Sequence, residues 1–182
     1  MARLEPLQRP YPATFDAQMK VLMRGADPLV LFTTLASNDR AWAKFGGGSL
    51  LDKGSPLDLR TREIVIDRTT ARTGCEYEWG VHVAGFAAHV GLADDQVRAT
   101  VRGDAADPAW TAESERVLIA TVDALLDRKR LTDAEWTALR QHYDAAQALE
   151  IVQLVAFYHG VALICGALDL PLEANAARFP AA

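Results

Sequence analysis

From about Thr14 onward, apolar residues recur three and four positions apart, and no stretch alternates with period two for long enough to make a strand. The pattern predicts an all-α chain. Helices are expected over residues 14–24, 28–36 and 39–45, before Gly46-Gly47-Gly48 interrupts the periodicity as a joint. Ser55-Pro56-Leu57-Asp58 combines a capping hydroxyl, a proline suited to the first helical position and an acid for the first turn. It should open a helix to about Arg72, ended by Thr73-Gly74. The next helix is expected over 75–90, with Gly91 as a left-handed cap. Further helices are expected over 94–101, 111–127 with Thr111 as cap, 132–143 from the capping box Thr132-Asp133-Ala134-Glu135, and 146–168.

The last of these is apolar on almost every face, so it needs cover all round: the centre of the bundle or a neighbouring subunit. A homo-oligomer is the expectation. Pro6, Pro10 and Pro12 suit an extended arm on the surface or on a partner. The organisation is therefore an arm over 1–13 and one helical domain over 14–182.

Composition narrows the classes. Half of the 182 residues are hydrophobic and 24% are charged, as in an ordinary globular protein. The net charge is −5 and no basic run exceeds Arg128-Lys129-Arg130, which excludes a phosphate-tracking surface and hence nucleic acid as partner. The N-terminal stretch has no apolar core like that of an export signal, so a cytoplasmic location is expected. Residues 151–170 are apolar, but Gln153, His159 and Asp169 interrupt them without a flanking aromatic or basic belt, so no membrane is expected either. Two cysteines, Cys75 and Cys165, make no disulfide framework, and both should be free thiols.

The candidate chemistry sits in Cys75-Glu76-Tyr77-Glu78-Trp79-Gly80-Val81-His82. On a helix Cys75, Glu78 and His82 share a face, with Glu78 and His82 in direct i,i+4 contact, while Glu76 and Tyr77 point elsewhere. A first-turn cysteine lies where unpaired N–H groups stabilise a thiolate, although Glu76 and Glu78 oppose it. A neighbouring carboxylate favours imidazolium at His82. The same residues also suit a buried thiol beside a solvated ion pair. No metal is expected, because Glu78 and His82 lack a second histidine at ligand spacing.

The run from Leu59 to Leu92, LRTREIVIDRTTARTGCEYEWGVHVAGFAAHVGL, resembles the signature region of the carboxymuconolactone decarboxylase family, the larger AhpD-like group. LFTTLASNDRAWAKFGGGSLL before it and AFYHGVALICGALDLPLE near the end are similar to the flanks of its members. The resemblance covers roughly residues 29–173 and implies an AhpD-like helical bundle that self-associates. In the alkylhydroperoxidase branch, the matching positions are Glu63 for the glutamate, Cys75 for the first cysteine of a CxxC and His82 for the histidine. Glu78 stands in place of the second cysteine, so the usual disulfide of that branch cannot form, and nothing in the sequence brings Cys165 to Cys75.

The resemblance therefore implies first a decarboxylase-type enzyme on a small carboxylated or lactone-like substrate, without metal or organic cofactor. His82 is its acid or base, Glu63 sets the protonation of His82, and Glu78 tunes it. Arg72 is either a carboxylate clamp or a complement to the helix dipole. Tyr77 and Trp79 are packing residues or pocket walls, and His159 is a pocket or a core histidine. The alternatives are a peroxidase using Cys75 with an external reductant, and a non-enzymatic small-molecule-binding protein.

Overall fold

The computed structural model describes residues 2–46 and 50–181. Among these the chain is all-helical: α1 (Ala13–Leu22), α2 (Val30–Leu35), α3 (Asp39–Gly46), α4 (Leu59–Arg72), α5 (Glu76–His82), α6 (Asp94–Arg102), α7 (Glu113–Arg128), α8 (Asp133–His142) and α9 (Ala145–Ala167). A π-helical turn, Val83–Ala87, continues α5 directly after His82. Of the glycine run expected as a joint, Gly46 ends α3, and Gly47 and Gly48 lie outside the described residues.

The centre of the bundle is α4, which packs against α5, α6, α7 and α9. Every residue from Arg62 to Thr70 is buried, although four of them have ionisable side chains. Three of the four, Arg62, Glu63 and Arg68, have charged partners. Arg68 forms a two-pronged pair with Asp123, at 2.7 Å on each oxygen, and also donates to the carbonyls of Thr100 and Gly103. Arg62 donates to Glu63 at 2.9 and 3.1 Å.

The expectation for α9 changes accordingly. Ile151, Leu154, Val155, Tyr158, Val161 and Cys165 enter the core, but Leu149 and Leu163 are 61% and 64% exposed. With Ala156 they form an outward stripe at intervals of seven residues. Long and apolar enough to cross a membrane by composition, α9 here contributes one face to the core.

Two local expectations are corrected. The cap of α4 is Asp58, whose Oδ1 accepts from the Thr61 N–H at 2.7 Å, and Ser55 lies in the preceding turn, bonded to Glu150 and to the Leu57 N–H. Asp58 prevails because a carboxylate three residues before an unpaired N–H is the better acceptor. Thr111 is not the cap of α7; Ala112 occupies that position without a side-chain bond, and the Thr111 carbonyl accepts from Arg116. The N-terminal arm is extended but lies on its own chain: Arg3 donates to the Leu168 carbonyl, Leu7 to that of Thr33, and Leu7 and Tyr11 pack on a small second core around Phe15 and Met19.

The loops around α5 place its cysteine. Gly74, at φ +71°, closes α4 with paired bonds, Gly74 N–H to Ala71 O and Cys75 N–H to Thr70 O. Cys75 thus ends one helix and caps the next. Gly91, at φ +68°, closes the far end in the same way, and Arg60 donates to the exposed carbonyls of Val90 and Gly91. On its outer side α5 is gripped by the C-terminal tail: Ala177 N–H donates to Gly80 O, Phe179 N–H to Glu76, and a Cβ at Gly80 would stand 2.3 Å from the Ala177 carbonyl.

Candidate active site

Two turns of α4 and the whole of α5 build the cluster. Glu63, fully buried, accepts from Arg62 on one oxygen and meets His82 Nδ1 at 2.7 Å with the other. His82 Nε2 lies 3.5 Å from Glu78 Oε1, the i,i+4 partner expected from spacing. The imidazole is held between two carboxylates, stacked on Phe86 and meeting Tyr158 edge-on at a centroid distance of 5.1 Å. Burial pulls its pKa down, but the bonds to Glu63 and Glu78 and their charges outweigh burial and raise it to about 10. The imidazolium form of His82 is thereby favoured, with Nδ1 on Glu63 and Nε2 facing Glu78.

Cys75 is buried at the N-cap of α5. The Cys165 thiol, in the same buried core, leads in lowering its pKa against burial, helped by the N–H groups of Glu78 and Tyr77 and opposed by the Glu78 charge. Cys165 is pushed up, first because its hydrogen serves Cys75 and then by burial. The expectation that Cys165 stands apart from Cys75 is overturned. The contact arises from helix packing between residues far apart in sequence, which periodicity does not report.

Asp67, one turn beyond Glu63 on α4, was not singled out by the sequence reading, although its i,i+4 spacing from Glu63 is visible there. It is 1% exposed, and neither carboxylate oxygen has a hydrogen-bond partner. Burial raises its pKa well above the usual carboxylate range, against the His82 charge and with the Glu63 charge. Folding above about pH 4 therefore requires Asp67 to take up a proton, so its contribution is fully favourable below the unfolded pKa and is lost as pH rises. Asp67→Asn is expected to stabilise the protein by about 1–3 kcal/mol at pH 7. The gain should shrink towards zero near pH 4, as read from urea unfolding at the two pH values.

The other expected site residues lie elsewhere. Arg72 pairs with Asp123 at 3.2 Å and Asp127 at 2.6 Å, so it is no free carboxylate clamp. His159 joins it in lining a surface depression of about 290 Å3, with Thr73, Asp127 and Lys129. Tyr77 bonds the Leu31 N–H and Glu173, and Trp79 donates to Thr100 Oγ1 and packs on Phe179. Both hold the frame of the site.

Comparison with known proteins agrees with this architecture. Residues 37–123 match the family model described as the carboxymuconolactone decarboxylase family. No curated protein matches the chain by sequence. An uncharacterized peroxidase-related protein from Silicibacter sp. TM1040 superimposes with a TM-score of 0.82 at 19% identity, over 98% of this chain and 96% of that one. An uncharacterized peroxidase-related protein with an alkylhydroperoxidase AhpD core, from Ralstonia eutropha JMP134, gives 0.81 at 17%, over 95% and 93%. The debrominase Bmp8 bound to 2,3,4-tribromopyrrole gives 0.79 at 19%, over 94% and 92%. The chain has the AhpD-like fold. Over residues 37–123 it is similar to the carboxymuconolactone decarboxylase family.

Proposed function

We propose that this protein is a thiol-dependent enzyme of the AhpD-like group that reduces a peroxide at Cys75. The observation that carries the reading is the placement of Cys75 at the N-cap of α5, in the same buried core as a second thiol, a setting that favours the thiolate. The sulfur attacks the terminal peroxide oxygen, the O–O bond breaks, and Cys75 becomes a sulfenic acid while the leaving oxygen takes a proton. The proton comes through Glu78 from the protonated His82, whose charge Glu63 maintains. Similarity to proteins described as peroxidase-related supports the same chemistry.

Decarboxylation of a carboxylated substrate is less well supported. That reaction needs a cation or a helix N-terminus for the carboxylate; Arg62 and Arg72 are already engaged by Glu63, Asp123 and Asp127, and in this reading the N-terminus of α5 serves Cys75. A second copy of the chain is the partner best suited to cover Leu149, Ala156 and Leu163 on α9.

Thiolate absorbance between pH 4 and 10 tests the reading. One thiol should titrate below the ordinary cysteine value of about 8.5. The rate of dimedone capture after a stoichiometric peroxide pulse should follow the same curve. A single wave at or above that value, with no capture at Cys75, would remove the thiolate from the mechanism.

A further inference from the structure

Reduction of a peroxide leaves a sulfenic acid on Cys75, and position 78 holds a glutamate where a resolving cysteine would stand in CxxC. The last helix supplies another. We propose that Cys165 is the resolving thiol of this site, forming an intramolecular disulfide that ties the start of α5 to the final turn of α9. The inference rests on the assignment of Cys75 as the peroxide-reducing thiol.

The juxtaposition follows from the packing of two helices in antiparallel register. Near the start of α5 Tyr77 bonds Glu173, just beyond α9, and at its end His82 meets Tyr158; Cys75, seven residues before His82, and Cys165, seven residues after Tyr158, therefore fall at one level of the same buried core. Each cysteine is held at a helix end by backbone bonds. The Cys75 N–H donates to Thr70 O at 2.8 Å, and the Cys165 carbonyl accepts from the Leu170 N–H at 3.2 Å in the turn where Asp169 takes φ +50°. Both thiols are buried, at 7% and 4% exposure, and the chain has only these two. A sulfenic acid formed at Cys75 has Cys165 as its neighbouring thiol.

The steps balance. A peroxide ROOH takes two electrons from the Cys75 thiolate and one proton, giving ROH and Cys75 sulfenic acid. The Cys165 sulfur then bonds to the Cys75 sulfur, the S–O bond breaks, and the departing hydroxide leaves as water with the Cys165 proton. A small external dithiol returns two electrons and two protons, becoming a disulfide itself and restoring both cysteines.

Full-length protein is treated with one equivalent of hydrogen peroxide or, separately, with diamide. It is then denatured in N-ethylmaleimide and mapped by peptide mass, with dimedone present in a parallel set. Peroxide should yield a linked Cys75–Cys165 peptide in a monomeric chain. Cys165→Ser should lose the link and raise the dimedone adduct on Cys75 by about tenfold or more. Cys165→Ala, checked by circular dichroism, should do the same and so exclude a contribution from the serine hydroxyl. A wild-type adduct as persistent as that of the variants, with no linked peptide under either oxidant, overturns the resolving role while leaving Cys75 as the reactive thiol. A link under diamide alone supports the pairing and overturns the peroxide assignment. No reaction with either oxidant overturns both.

Discussion

Glu63→Gln is expected to cost about 3–5 kcal/mol of folding stability and to slow peroxide reduction by about a hundredfold or more. Glu63 is the counter-charge for two buried cations at once, Arg62 and His82. A glutamine leaves both inside without it. Burial then acts on His82 against Glu78 alone, and its pKa falls from about 10. The sign of the pH effect follows from that raised value. In the wild type the His82 contribution is complete below the unfolded pKa of about 6.5 and declines as pH rises towards 10. Urea unfolding at pH 6 and pH 9.5 should show this decline in the wild type and a much smaller one in Glu63→Gln. Equal slopes would mean that the charge on His82 does not depend on Glu63.

Cys75→Ser should abolish peroxide turnover, by more than about a thousandfold, while leaving the fold within about 1 kcal/mol of the wild type. The separation of the two effects follows from position. Residue 75 is the N-cap of α5, where serine is among the preferred residues, so the hydroxyl can accept from a first-turn N–H group. What serine lacks at neutral pH is an ionised nucleophile. Peroxide consumption measured beside thermal unfolding reads both quantities, and substantial turnover in Cys75→Ser would place the chemistry on another group.

The helical plan was legible from periodicity, and much of its punctuation from single residues: Gly74, Gly91 and the Thr132–Glu135 box stand where turn and cap chemistry puts them. The centre of the bundle was not. Periodicity ranks α9 as the most apolar segment, yet α4, with Arg62, Glu63, Asp67 and Arg68 in its middle, is the more deeply enclosed. The burial of Arg68 depends on Asp123, which lies on another helix, and one sequence does not show such pairs. The candidate site divides in the same way. Glu78 and His82 follow from spacing on one helix, and Glu63 from family resemblance. Cys165 follows from neither, because it meets Cys75 through interhelical register alone.

The grip of the C-terminal tail on α5 bears on the order of events during synthesis. The helix that carries Cys75 is closed on one side by Cys165 and on the other by Ala177 and Phe179, all of which leave the ribosome about a hundred residues later at roughly 5–20 residues per second. For several seconds a nascent chain therefore presents Cys75 without the thiol partner or the outer strap that confine it in the finished fold. The confinement of Cys75 is complete only when the last turn of α9 and the tail have docked.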